Sequence, residues 1–390
     1  MIKREAKKTI LEMAGQFKVV SITGPRQSGK TFLVRALFPQ KPYINLEEPD
    51  TRLFANDDPR RFLQKYPDGA IFDEIQYAPE LLSYIQPIVD ARKETGLYII
   101  TGSQYFTMFE AISQSLAGRV GIINLLPFSY SELQNARINP VAPDQMLFKG
   151  SYPPLYDQPL TPEKWLNSYI STYLERDVRK ILNVKNLALF QKFLSLCAGY
   201  TGQLINYSRI GADCGIDHNT VRSWLDILEE SFIIFRLRPY HKNFRKRIVK
   251  TPKLYFFDTG LASRLIGIEN INQISTHPTR GFLFENWVIS EFMKSRFNRG
   301  KDINLYFWRN NTGIEIDLIV DHSTGFIPVE IKSGSTFSKN WATNIICWNE
   351  ITGELQKNSY IIYGGDTSHT INDINIIPWQ DIGKVANKIA

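Results

Sequence analysis

Gly24-Pro25-Arg26-Gln27-Ser28-Gly29-Lys30-Thr31 sets glycine, lysine and hydroxyl at the spacing G-x-x-x-x-G-K-[ST]. A polyphosphate needs many donors close together, and backbone amides reach it only where side chains are missing, as at Gly24 and Gly29. Lys30 adds a point charge for the outer phosphates, the Thr31 hydroxyl suits Mg²⁺, and the start of the helix that follows adds its dipole. Hydrolysis requires acidic groups at a neighbouring strand end, which Ala70-Ile71-Phe72-Asp73-Glu74 supplies. Asp73 is expected in the Mg²⁺ shell, with Glu74 orienting the attacking water. A third apolar run ends in Thr101-Gly102-Ser103, where Ser103 is favoured over Thr101 as a sensor of the γ-phosphate. Arg119, after a glycine in a sparsely charged segment, is a candidate arginine finger or sensor, acting on its own nucleotide or a neighbour's. Otherwise it is a plain surface arginine. ATP and Mg²⁺ are the cofactors this set calls for.

Two further constellations lie downstream. Glu285, Asp317, Glu330 and Lys332 put three carboxylates and a lysine within reach of one another, the two-residue strand period placing Glu330 and Lys332 on one face. Such a set can hold Mg²⁺ and prepare hydroxide for phosphodiester cleavage. The alternative is a strand edge of alternating charge. Between Arg236 and Lys253 lie eight basic residues and no acidic one, more than the net charge of +7 for the whole chain. The positive field is therefore local, and so is its partner.

Strands and helices alternate up to about residue 135, as an α/β unit with a mostly parallel sheet requires. Prolines and glycines then gather from Asn135 to Pro162 and are expected to break regular structure and mark a connection. Next comes a mainly helical region. Within it Tyr207–Leu225 spells helix, glycine turn and second helix, followed by two strands joined by the basic loop, a winged-helix layout. Its candidate nucleic-acid contacts include Thr220 and Arg222 on the second helix and Lys242, Arg245, Lys246 and Arg247 in the loop. A protein or oligomer interface is the competing use. Beyond Phe284 one helix and three consecutive strands form a third unit. The expected domains are 1–150, 151–265 and 266–390.

Gly24–Thr31, with Asn45-Leu46-Glu47, Asp73-Glu74-Ile75-Gln76, Thr101-Gly102-Ser103 and Ser115-Leu116-Ala117-Gly118-Arg119, resembles a prokaryotic family of AAA+ ATPases whose P-loop begins G-P-R-Q-x-G-K-T. The resemblance implies a sheet ordered 5-1-4-3-2 with nucleotide at the carboxyl ends of its strands. Tyr173–Val178 and Pro252–Leu261 are similar to the carboxyl-terminal region, of unknown function, that accompanies this ATPase. Arg176 within the first of these, or Arg179 directly after it, is an alternative source of a trans-acting guanidinium. Asp317 with Glu330-Ile331-Lys332 resembles the PD-(D/E)XK, restriction-endonuclease-like fold, which serves as an active nuclease in some members and as an inactive scaffold in others.

Composition narrows the classes: 43% hydrophobic and 22% charged residues belong to a globular chain. The three cysteines, Cys197, Cys214 and Cys347, are too dispersed for a zinc site or disulfide framework. With no apolar run of membrane length, a cytoplasmic protein without a membrane partner is expected. The functional expectation is an ATP-hydrolysing AAA+ protein coupled to nucleic acid, with cleavage as an added capacity. The alternative is a nucleotide-dependent signalling or protein-remodelling switch with an inactive nuclease-like module, working as a homo-oligomer or with a partner protein.

Overall fold

The computed structural model describes residues 2–103, 115–179, 184, 186–240, 251–310, 313–323, 325–353 and 358–390, without the side chains of 175–177. The chain divides into two compact units. The first comprises the residues up to Phe128 with short pieces at 230–232 and 297–301, and the second holds the remainder.

Five parallel strands organise the first unit: β1 (Val19–Thr23), β2 (Tyr43–Asn45), β3 (Ala70–Asp73), β4 (Tyr98–Gly102) and β5 (Val120–Asn124). Their order is β2-β3-β4-β1-β5, which from the β5 edge reads 5-1-4-3-2. Because strand side chains alternate, each strand feeds two cores. Val19, Phe72, Tyr98 and Ile100 pack with Leu82, Ile85 and Val89 of the helix Leu81–Asp90. Val20, Ile22, Ile71 and Ile99 pack with Ile10 of the helix Lys7–Gln16 and with Leu33 and Val34 of the helix Lys30–Leu37. Covered on both faces, the strands are continuous apolar runs, and their free carboxyl ends carry the polar residues.

In the second unit the helix Tyr207–Cys214 ends at Gly215 (φ 77°), and Asp217 caps the helix His218–Glu230 by accepting from the amides of Asn219 and Thr220. Gly211 lets the turn close, since a Cβ there would lie 2.5 Å from the Ile216 carbonyl oxygen. Strands β6 (Ile234–Pro239) and β7 (Lys253–Phe256) form an antiparallel pair. They join β8 (Leu305–Arg309), β9 (Glu315–His322), β10 (Gly325–Lys332), β11 (Tyr360–Tyr363), β12 (His369–Ile371) and β13 (Ile374–Pro378) in one sheet ordered β12-β13-β11-β10-β9-β8-β6-β7. The joint is β6 against β8, where Arg238 and Pro239 pair with Tyr306 and Phe307. At the β7 edge, Asn286 of the long helix Arg280–Asn298 pairs with a backbone: its amide donates to the Phe256 carbonyl and its carbonyl accepts from the Phe256 N–H, both at 2.7 Å.

The proline-rich stretch is not a break. Pro143, Pro154 and Pro162 stand in the first turns of the helices Pro143–Lys149, Pro154–Asp157 and Pro162–Tyr169, where the missing N–H costs nothing and the fixed φ favours helix entry. Asp258 fastens this segment. It caps the helix Thr259–Leu265 through the Leu261 amide and accepts the Ser151 amide at 2.7 Å and hydroxyl at 3.0 Å.

Candidate functional site

Gly24 has φ 149° and lies so close to the chain that a Cβ would stand 2.2 Å from the Leu125 carbonyl oxygen. Gly29 is left-handed (φ 90°) immediately before the helix Lys30–Leu37, and Gln27 joins it at φ 63°. The loop from Gly24 to Thr31 thus bends at positions where a side chain is excluded or costly, leaving a main-chain cradle at the end of β1. Lys30 is buried with its ammonium donating to the carbonyls of Gly24 and Pro25, both at 2.9 Å. Burial lowers its proton affinity, while Glu74 and Asp73 act in the opposite direction.

Asp73, at the end of β3, gathers three hydroxyls. Thr31 Oγ1 donates to Oδ2 at 2.7 Å, Tyr43 OH donates to the same oxygen at 2.6 Å, and Thr101 Oγ1 donates to Oδ1. Burial first, then the hydrogen bond to Asp73, raises the Tyr43 phenol pKa, so it stays a donor. The next residue, Glu74, is left-handed (φ 56°), a conformation that costs a non-glycine residue about 1 kcal/mol or more. Ser103 Oγ donates to the two Glu74 carboxylate oxygens at 2.9 and 3.0 Å, and Gln76 also donates to Glu74. Ser103 therefore holds Glu74, and Thr101 holds Asp73. Tyr43 escaped the sequence reading: only its place on the strand beside β3 marks it.

Arg119 is not brought to the loop of its own chain, so of its two expected placements only action on a neighbour's nucleotide is left. It precedes β5, at the amino-terminal edge of a parallel sheet whose carboxyl edge carries the loop, roughly 15 Å of strand away. There it forms a two-pronged pair with Asp90, with Nη2 to Oδ2 at 2.9 Å. The Arg176 side chain lies outside the described residues. So do Lys242, Arg245, Lys246 and Arg247.

In the second unit, Glu285, Asp317, Glu330 and Lys332 do come close, but as ion pairs. Lys332 Nζ stands 2.7 Å from Glu330 Oε1 and 3.6 Å from Asp317 Oδ2. Asp317 Oδ2 also accepts the Ile331 amide at 2.8 Å. Glu330 Oε2 is buried without a hydrogen-bond partner, and burial together with the nearby Asp317 pushes this carboxyl up to about 8. Glu285 accepts from Lys253 Nζ at 3.0 Å and Tyr255 OH at 2.5 Å, and Lys253 also pairs with Glu315. Burial pushes Glu285 up to about 7, with Lys253 pulling the other way. Among the described residues no three carboxylate, histidine or cysteine side chains converge as metal donors. Lys253 escaped sequence reading as well, hidden in a basic run whose other members suggested a surface. Thr220 is committed to its helix cap, its hydroxyl donating to Asp217, whereas Arg222 is exposed.

Residues 16–134 match the family described as an AAA domain. Residues 142–272 and 280–382 match two domains of unknown function, DUF8612 and DUF4143. An uncharacterized protein of Mycobacterium tuberculosis is 29% identical over 340 residues, covering 86% of this chain and 74% of its own length. One of Haemophilus influenzae is 25% identical, covering 70% of this chain and 75% of its own. Among solved structures, the Walker-type ATPase of Pyrococcus abyssi has a TM-score of 0.42 at 15% identity, covering 68% of this chain and 96% of that one. AMPPCP-bound DnaA from Aquifex aeolicus has a TM-score of 0.30 at 14% identity, covering 58% and 86%. The chain thus carries a nucleotide-binding P-loop ATPase domain of AAA type. Among the described residues no helix is long and apolar enough to cross a membrane.

Proposed function

We propose that this protein hydrolyses ATP with Mg²⁺ and couples the cycle to nucleic acid held by its second unit. The observation that carries the ATPase half is the junction of Thr31 and Asp73, a hydroxyl and a carboxylate oxygen 2.7 Å apart beside the loop that carries Lys30. Two hard oxygens so placed fit Mg²⁺, which when bound would neutralise charge on the outer phosphates. Lys30 and the loop amides from Gly24 to Thr31 bind the phosphate chain. Glu74, aimed by its left-handed backbone and held by Ser103 and Gln76, orients the attacking water and receives its proton.

The nucleic-acid half rests on the helix-turn-helix followed by the β6/β7 pair, a winged-helix arrangement, and on the basic residues of the stretch 238–250 in the sequence. The carboxylates of the PD-(D/E)XK-like region do not fit a divalent ion in this arrangement, because Lys253 and Lys332 take up their charge. That pairing favours a nuclease-like module used for binding rather than cleavage, as in the signalling or remodelling alternative.

The test is steady-state ATP turnover with and without single-stranded or duplex DNA, beside nucleotide binding measured by fluorescence. Lys30→Ala is expected to abolish binding, and Glu74→Gln to keep binding while lowering turnover about 10² to 10⁴-fold. Unchanged turnover in Glu74→Gln would remove the proposed water-orienting role, and indifference to every nucleic acid would favour the protein-remodelling alternative.

A further inference from the structure

The helix pair and the carboxylate-bearing strands of the second unit line one hollow of about 890 Å³. Its size lies within the range of small-ligand sites, roughly 300–1,000 Å³. Arg209 and Arg222 come from the two helices and Arg309 from the end of β8. Three aromatic rings open onto the same space: Tyr200, Tyr207 and Phe282, the last 37% exposed. Arg209 lies over the Tyr200 ring at 5.8 Å and Arg222 over Tyr207 at 5.3 Å.

The acidic residues on the hollow's wall do not repel an anion as bare charges would. Lys253 pairs with Glu285 and Glu315, Arg309 supplies the second positive charge at 3.3 Å from Glu315, and Lys332 faces Asp317. Cations and aromatic faces interleaved in a concavity are the features by which proteins take a nucleic-acid strand with unstacked bases. A duplex asks for the opposite shape, a helix projecting into a major groove about 12 Å wide. Here His218 and Arg222, in the first turns of the second helix, face a hollow, and the Thr220 hydroxyl is spent on Asp217.

We propose that this hollow binds a single-stranded nucleic-acid segment, its phosphates on Arg209 and Arg222 and its bases on Tyr207 and Phe282. This rests on the nucleic-acid half of the proposed function and replaces duplex recognition by strand capture. A base stacked on an aromatic ring is lost with that ring, whereas a phosphate contact is lost with its cation and takes part of the salt dependence with it.

The experiment is fluorescence anisotropy of the full-length protein with a labelled twelve-nucleotide oligothymidine, the matching RNA and a duplex of equal length, over a salt series. The single strands are expected to bind at least about 10-fold tighter than the duplex. Phe282→Ala should weaken strand binding by roughly 5- to 150-fold. The double variant Arg209→Ala/Arg222→Ala should lower the salt slope by about 1.4. Thermal melting and ATP turnover of each variant, matched to the parent, separate lost contacts from lost folding. Should these variants bind as the parent does while serine at Lys242, Arg245, Lys246 and Arg247 abolishes binding, the nucleic-acid reading stands and the hollow is excluded as its site. A preference for duplex overturns strand capture alone; no affinity for any nucleic acid overturns both.

Discussion

Asp73 draws its three hydroxyl donors from three elements: Thr31 on the helix after the loop, Tyr43 on β2 and Thr101 on β4. A buried carboxylate fixed from three sides is aimed before any ion arrives, and partners of this kind are worth about 10- to 100-fold in metal affinity or activity. Tyr43→Phe and Thr101→Val are each expected to lower ATP turnover by about that much, most strongly at limiting Mg²⁺. A Mg²⁺ titration identical to the parent's would show that Asp73 needs neither. Arg119→Ala, by contrast, breaks an exposed pair at the far edge of the sheet, so turnover should stay near the parent's, with a small stability loss that shrinks with salt. Glu330 carries a pH signature. Its pKa in the folded chain is raised to about 8 from an ordinary 4.5, so the folded state holds the proton more tightly. That contribution is fully present below about pH 4.5 and is lost as pH rises through about 8. Melting temperature should fall between pH 5 and pH 8.5 by less in Glu330→Gln than in the parent; equal falls would place the titrating group elsewhere.

Short-range order makes some elements readable and leaves others hidden. The turn at Gly24–Thr31 and the strand end at Asp73-Glu74 are local: fixed spacings of glycine, lysine and acid sit directly after apolar runs, and they describe both conformation and chemistry. The helix-turn-helix is local in the same sense, with Gly215 and Asp217 marking its turn. Pairing between distant strands leaves no such trace. Nothing in Arg238-Pro239 announces Tyr306-Phe307 as its partner, so β6 and β7 read as a separate wing although they continue the sheet of β8 to β13. The prolines misled for a different reason, because the same ring that ends one helix begins another. Asp258 makes the element between them a fixture. With its three hydrogen bonds inside the unit, Asp258→Ala is expected to cost roughly 3 kcal/mol or more, measured by urea unfolding. Gly150→Ala should act in the same direction, since the added carbon would lie 2.2 Å from Asp258 Oδ1. Stability unchanged in both would mean that the segment is held by its apolar contacts.

At the scale of the whole molecule, a P-loop unit and a second unit built on an eight-stranded sheet share one chain, and the carboxylates that look most like a cleavage site are bound up with lysines. Incubation with Mg²⁺ or Mn²⁺ and several nucleic acids is expected to give no cleavage that Asp317→Ala removes. Cleavage lost in that variant would establish a working nuclease. The sheet itself raises a matter of colloidal behaviour. Eight strands leave two flanks, and an uncovered flank recruits a neighbour's backbone. One flank ends in the three-residue strand β12, too short to template much. At the other, the backbone of residues 202–205 pairs with β7, the Gly202 N–H donating to the Leu254 carbonyl at 2.7 Å and the Leu254 N–H to the Gln203 carbonyl at 3.0 Å, and beyond it the Asn286 carboxamide answers the Phe256 backbone. With alanine in place of Asn286 the Phe256 end of that flank loses its cover, and purified protein should form oligomers on warming that light scattering detects.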